Sequence, residues 1–241
     1  MADKPILFSA PMIRALLDRR KTQTRRILKP QPEFHVTSHQ QMSDYVILRN
    51  EAHGLRQDVR IRIEPSDRLW VREAWRPSIS AEDPWHVAVD YPADGRVKHW
   101  TWATDADFGD WCMPKQASKG VVPSIHMPRW ASRLTLVVTD VRVQRLQDIS
   151  KAEAIAEGIE VEGLSGGQGG NELWRNYENP PTSYTDGHAD NGVFLQPKAS
   201  FISLWNSTNG PDAWEQNPWV TATTFTVHKC NIDALEGQPN D

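Results

Sequence analysis

The sequence predicts an α+β fold in which one helix leads into a strand-rich body with short helices near its end. Three observations carry this. An apolar stripe at helical spacing opens the chain, runs alternating at period two fill its middle and close it, and a sharp helix-start signal separates the last two long strand runs. A small barrel with insertions is the arrangement this order suits. The 241 residues suit one elaborated domain or two small ones.

The elements follow in order. Ser9 stands where a cap is needed before a helix over about 10–20, with Pro11 in its first turn. Met12, Ile13, Leu16 and Leu17 give that helix one apolar stripe, and Arg19-Arg20-Lys21 place cations at its negative end. Pro30 and Pro32 force an extended exit. Residues 44–49 and 59–63 predict a hairpin around Gly54, 69–75 a strand, and 85–91 with 97–102 a hairpin around Asp94-Gly95. Residues 103–125 read as loop, and 134–146 is the longest β-rich run. Ser150-Lys151-Ala152-Glu153 is a capping box, and its helix stops at Gly158. Gly163, Gly166, Gly167, Gly169 and Gly170, followed by Pro180-Pro181, make 159–197 an inserted segment with little expected structure of its own. A short helix around Phe201, Leu204 and Trp205 and a strand over 220–227 complete the domain, and 231–241 is expected to fray.

Charge excludes some functions and localises others. The chain carries 27 basic and 31 acidic residues, a net charge of −4, which excludes a globally basic nucleic-acid coat. Residues 1–30 nevertheless hold eight basic residues against two acidic ones, a net +6, and the rest carries −10. Such a basic corner suits a local anionic ligand; the plainer reading is a solvated helix end. No apolar run approaches a membrane span and residues 1–8 lack a signal-peptide core, so a soluble, cytoplasmic protein without membrane partners is expected. Cys112 and Cys230 make neither a disulfide framework nor a four-Cys zinc site, and Cys112 and His126 have no partners at metal-ligand spacing, so neither metal nor cofactor is expected. Eleven Trp is the outlier, pointing to indoles in a core or a pocket wall.

Three places could carry chemistry. Lys21 and Thr24 stand three apart just past the first helix and would share a face if the turn continued. A threonine hydroxyl needs a base to become a nucleophile, and a neutral lysine can serve. From about 10.4, lysine needs its pKa lowered, and the neighbouring arginines push that way. The plainer reading is an exposed or phosphate-binding basic turn. Glu157 sits in the last turn of its helix, where the dipole disfavours an acid, which suits a proton donor but equally an ordinary surface glutamate. In Pro123–Arg133, Arg129 and Trp130 could hold a phosphate and stack on a base, or Trp130 could simply plug the barrel end.

These residues resemble the ASCH-domain family, whose fold is similar to the PUA domains of RNA-modifying proteins. The family signature Gly-x-Lys-x-x-Glu-x-Arg aligns with Arg19–Arg26, where Lys21 and Arg26 match and Thr24 replaces the glutamate. A Lys-Thr-x-Thr reading resembles the amidohydrolase branch that acts on N4-acetylcytidine. There the resemblance implies Lys21 as proton acceptor, Thr24 as nucleophile and Glu157 as proton donor. Ser66–Val71 is similar to the family's Gly-Asp-x-Leu-x-Val segment. About half the chain also resembles ASCH-like proteins of tailed phages and prophages. Arg19 and Ser66 depart from the family by standing where glycines are usual. The resemblance implies a PUA-like β-barrel with short flanking helices, forming one domain over 1–230 with insertions at 31–63, 76–122 and 159–197.

Two functions are expected. One is removal of an acyl group from a modified nucleoside or base by Lys21, Thr24 and Glu157, with Arg26, Trp70, Arg129 and Trp130 holding the substrate. The other is a non-catalytic PUA-like module that binds RNA or another nucleic acid through the basic turn, Arg129 and Trp130. An RNA-cleaving ASCH protein is a minor third.

Overall fold

The computed structural model describes residues 2–80, 82, 86–101, 111–165, 170–179, 184–185, 188–189 and 192–235. Among these, the helices are α1 (Ala10–Leu17), α2 (Lys151–Ala156) and α3 (Pro197–Asn209). The first strands are β1 (Asp3–Leu7), β2 (Gln23–Ile27), β3 (Ser38–Gln41), β4 (Tyr45–Asn50) and β5 (Leu55–Arg60). Then come β6 (Arg68–Arg72), β7 (Arg76–Ile79), β8 (His86–Tyr91), β9 (Arg96–Thr101) and β10 (Thr135–Arg145). The last are β11 (Val161–Leu164), β12 (Glu172–Arg175), β13 (Tyr184–Thr185), β14 (His188–Ala189), β15 (Val193–Phe194) and β16 (Trp219–His228). The fold is α+β and mostly strand, as the sequence predicts. No helix among the described residues is long and apolar enough to cross a membrane.

The chain forms two compact units. The first comprises Met1–Asp18, Asp67–Val137 and Val227–Asp241. In it β1 runs parallel to β6, and β6 pairs antiparallel with the start of β10, Thr135 opposite Trp70. A meander β7-β8-β9 covers a core of Trp75, Val87, Val89, Tyr91, Val122, Met127 and Ala131. On α1, Ile13, Ala15 and Leu16 are buried, whereas Met12 and Leu17 are only partly so. Ile13 and Leu16 each contribute roughly 1.5–3 kcal/mol by leaving water. Ser9 holds the cap position with its backbone, its carbonyl accepting the Ile13 N–H at 2.9 Å, while its side chain makes no cap bond.

The second unit comprises Arg19–Ser66 and Val138–Thr226. Here the remainder of β10, β16 and β2 lie side by side, β16 antiparallel to β2 with Thr24 opposite Thr223. The segment at 31–63 forms the meander β3-β4-β5. The segment at 159–197 is more structured than expected. Its described residues form the sheet β11-β12-β15, and Trp174 on β12 is buried in a core with Phe201, Trp205 and Trp214. One indole is enough to anchor a glycine-rich stretch that composition alone marks as loop. The remaining part of that expectation, at 166–169, 180–183, 186–187 and 190–191, lies outside the described residues, as does the tail beyond 235.

α1 ends at Leu17, three residues short of expectation, because Arg19 turns left-handed at φ 58° just past the Asp18 cap. Ser66 is left-handed too, at φ 73°. At both positions the backbone holds a conformation that glycine adopts without strain and that a residue with a Cβ does not. Arg19→Gly and Ser66→Gly are each expected to raise the unfolding free energy by about 0.5–1 kcal/mol. Urea denaturation measures this, and a loss of stability in both variants would contradict it.

Candidate functional site

The site is built where β2 meets the end of α2, within the second unit. The capping box fixes the start of α2: Ser150 Oγ accepts the Glu153 N–H at 3.2 Å, and Glu153 Oε2 accepts the Ser150 N–H at 2.8 Å. Its end is closed by Glu157 at the cap and Gly158 at φ 85°. A helix end leaves carbonyls without partners, and the basic segment supplies them. The Thr22 N–H donates to Ala156 O at 2.9 Å, Lys21 Nζ to Glu157 O at 2.8 Å and Arg20 Nη1 to Gly158 O at 2.9 Å. Two of these donors are cations at the negative end of the helix dipole, a favourable placement.

Lys21 and Glu157, far apart in sequence, are thus brought together. They form a β-bridge, and Lys21 Nζ donates to Glu157 Oε2 at 2.8 Å with the lysine side chain wholly buried and the glutamate 5% exposed. Arg25 completes the group, and sequence reasoning missed it. Its Nη1 donates to Glu157 Oε1 at 3.0 Å and to Gln23 Oε1 at 2.6 Å, and its Nη2 lies 3.3 Å from Glu153. The guanidinium sits 5.9 Å from the ring centre of Phe201. Burial pushes the Lys21 pKa below its ordinary value; the Glu157 carboxylate opposes this, and the charges of Arg26 and Arg25 add to it. The arginines were expected to be the cause, but loss of water is the larger one.

Thr24 is placed differently. Residues 23–27 are a strand, not a continued helical turn, so side chains alternate between faces. Lys21, Gln23 and Arg25 share the face that meets Glu157, and Thr24 occupies the opposite one, buried across from Thr223. The expected sharing of a face by Lys21 and Thr24 rests on period 3.6, and the period here is two. Arg26 follows on the Thr24 face, exposed and opposite Thr221.

Trp70, Arg129 and Trp130 belong to the first unit. Trp70 on β6 is half-buried with the Arg72 guanidinium 5.0 Å from its ring. Arg129 is claimed by two carboxylates, donating to Asp3 Oδ2 and Asp233 Oδ1 at 2.6 Å each, and these bonds raise its pKa. Trp130 packs edge-on against Trp75, Trp100 and Trp111 at 5.2–6.1 Å between ring centres. Trp130 is partly buried against the core of the first unit. Much of the basic corner is likewise paired within the protein: Lys4 with Asp67, Lys21 and Arg25 with Glu157. No group of three or more His, Cys, Asp or Glu among the described residues could hold a metal ion.

The chain matches no family model, no curated protein and no solved structure.

Proposed function

We propose that Lys21 and Glu157 form the proton-transfer centre of an amide hydrolase that deacylates a modified nucleoside or base. In this proposal the fold is of ASCH, PUA-like type. The observation that carries the reading is the buried Lys21–Glu157 contact at 2.8 Å. A proton moved from Nζ to Oε2 leaves a neutral amine beside a carboxylic acid, one group ready to accept a proton and the other to donate. The amine takes the proton of the attacking hydroxyl as the C–O bond forms. The acid then protonates the departing nitrogen as the C–N bond breaks. The products are a carboxylic acid and the free amine of the base, with one water consumed and no cofactor.

The attacking oxygen is assigned by experiment. Lys21→Met and Glu157→Gln are each expected to lower kcat/KM on an N4-acyl-cytidine by about 10²–10⁴. Wild-type rates in Lys21→Met would overturn the reading. Thr24→Ala separates two routes to the same products. Loss of turnover places the attack on Thr24, with an acyl-enzyme that water clears. Retained turnover places it on water directly, as the alternation of β2 favours.

A second reading, a PUA-like module that binds nucleic acid without catalysis, is favoured by one observation. Four cations converge on a single cavity in the same unit.

A further inference from the structure

That cavity lies beside the Thr24 face of β2. It has a volume of about 270 Å³ and is lined by Arg26 and Lys29, from β2 and its exit, and by Arg60 and Arg62, at the end of β5 and just beyond. Buried Leu28 and Ile61 also line it. No carboxylate of the described residues contributes to the wall. Lys4, Lys21 and Arg25 of the same basic corner are paired with acids, but Lys29, Arg60 and Arg62 make no ion pair among the described residues. Four like charges around an apolar wall repel one another, and an anion entering between them relieves that repulsion. An apolar lining beneath cations suits an ester of phosphate with a planar organic body better than inorganic phosphate. The volume lies just below the usual range for ligand pockets, leaving room for no more than one nucleotide unit.

We propose that Arg60 and Arg62, carried by the 31–63 insertion, join Arg26 and Lys29 to bind the phosphate of a nucleotide, so that the ligand is a phosphorylated nucleotide unit and not a bare nucleoside. The inference deepens the proposed function, on which it rests only for the choice of a nucleotide as ligand. Register ties the cavity to the Thr24 face, the one opposite Lys21 and Glu157. Arg26 faces Thr221, which also lines the cavity, and the adjacent same-face pair is Thr24 with Thr223.

Calorimetric titration with cytidine, cytidine 5′-monophosphate and a five-residue oligocytidine tests this at 50 and 200 mM salt. The monophosphate is expected to bind at least tenfold more tightly than cytidine, with an advantage that shrinks as salt rises. Arg60→Ala/Arg62→Ala, at two exposed positions, is expected to erase the advantage, and Lys29→Ala to reduce it. Circular dichroism of each variant checks the fold. Tighter binding of the oligomer than of the monophosphate identifies a strand as the source of the phosphate, and the reverse identifies a free nucleotide. The proposal is overturned if all three bind alike, absent binding included, or if the advantage survives Arg60→Ala/Arg62→Ala. Failure of the hydrolase reading would look different: no turnover of any acyl-cytidine, with the phosphate preference intact.

Discussion

Glu157→Ala is expected to lower the unfolding free energy by about 3–5 kcal/mol, more than loss of either of its cations. The carboxylate is nearly buried and serves two buried charges at once, Lys21 through Oε2 and Arg25 through Oε1. Removing it leaves both cations in a medium that solvates them poorly, and an uncompensated buried charge costs far more than a surface one. Arg25 is already short of hydrogen bonds: among the described residues its buried Nε makes none, and its buried Nη2 has only the ion pair with Glu153 at 3.3 Å. Lys21→Met is different in kind. A thioether of similar length fills the same space, and Glu157 keeps Arg25 as its counter-charge. A smaller loss is therefore expected, and in Lys21→Met/Glu157→Ala a total below the sum of the two single losses. Equilibrium urea denaturation of the four proteins measures the cycle. Equal losses for Lys21→Met and Glu157→Ala would sink the account, because they would mean that Arg25 does not share the carboxylate.

What the sequence reveals here depends on the range over which each feature is decided. The capping box at Ser150–Glu153, the stop at Gly158 and the helix stripe at Ile13 and Leu16 are local, and each is where the pattern puts it. β1 is decided at long range and has no local signal. Its five residues, Asp-Lys-Pro-Ile-Leu, do not alternate, and it exists as a strand because β6, more than sixty residues on, offers a parallel edge. The sheet of the 159–197 segment is hidden for a similar reason, since Trp174 acts only through the core it reaches. The site divides the same way. Lys21 and Glu157 are each marked by their place at a helix end, the resemblance joins them as one site, and the dipole gives Glu157 a reason to want a cation. Arg25 was missed because 21–26 was read at helical period. Read at period two, Lys21, Gln23 and Arg25 fall on one face and Thr24 and Arg26 on the other, the division observed. The signal that would have favoured period two is Thr22, Thr24 and Ile27, β-branched residues in a short run that leads to a proline.

The first unit holds a second buried charge cluster, and its expected response to pH is distinctive. Arg133 is 4% exposed and donates to both oxygens of Glu73, at 2.7 and 2.8 Å, and to Asp94 at 2.9 Å, with its guanidinium 4.1 Å from the Tyr91 ring centre. Arg133→Met is expected to cost about 3–5 kcal/mol at pH 7.5, because it strands the Glu73 carboxylate, whose side chain is 2% exposed. Burial already pushes the Glu73 pKa above its ordinary value, with the bond and charge of Arg133 holding it down. Without Arg133 it climbs further. A carboxyl whose folded pKa exceeds its unfolded one binds more protons when folded, so stability falls as pH rises from about 4.5 through the folded value. Asp94 reinforces this. Burial raises its pKa, but the bond and charge of Arg133 outweigh that and hold it below its usual range, a stabilisation present above pH 3.8 that the variant loses. The gap between wild type and Arg133→Met should therefore be small at pH 4.5 and widen toward pH 7.5 in paired thermal melts. A gap independent of pH would show that the loss comes from packing on Tyr91 and not from the stranded charge. Arg133→Met/Glu73→Met separates the two causes from the other side. With the carboxylate gone as well, an apolar pair of similar volume should recover most of the stability at pH 7.5, whereas lost packing against Tyr91 would leave the deficit in place.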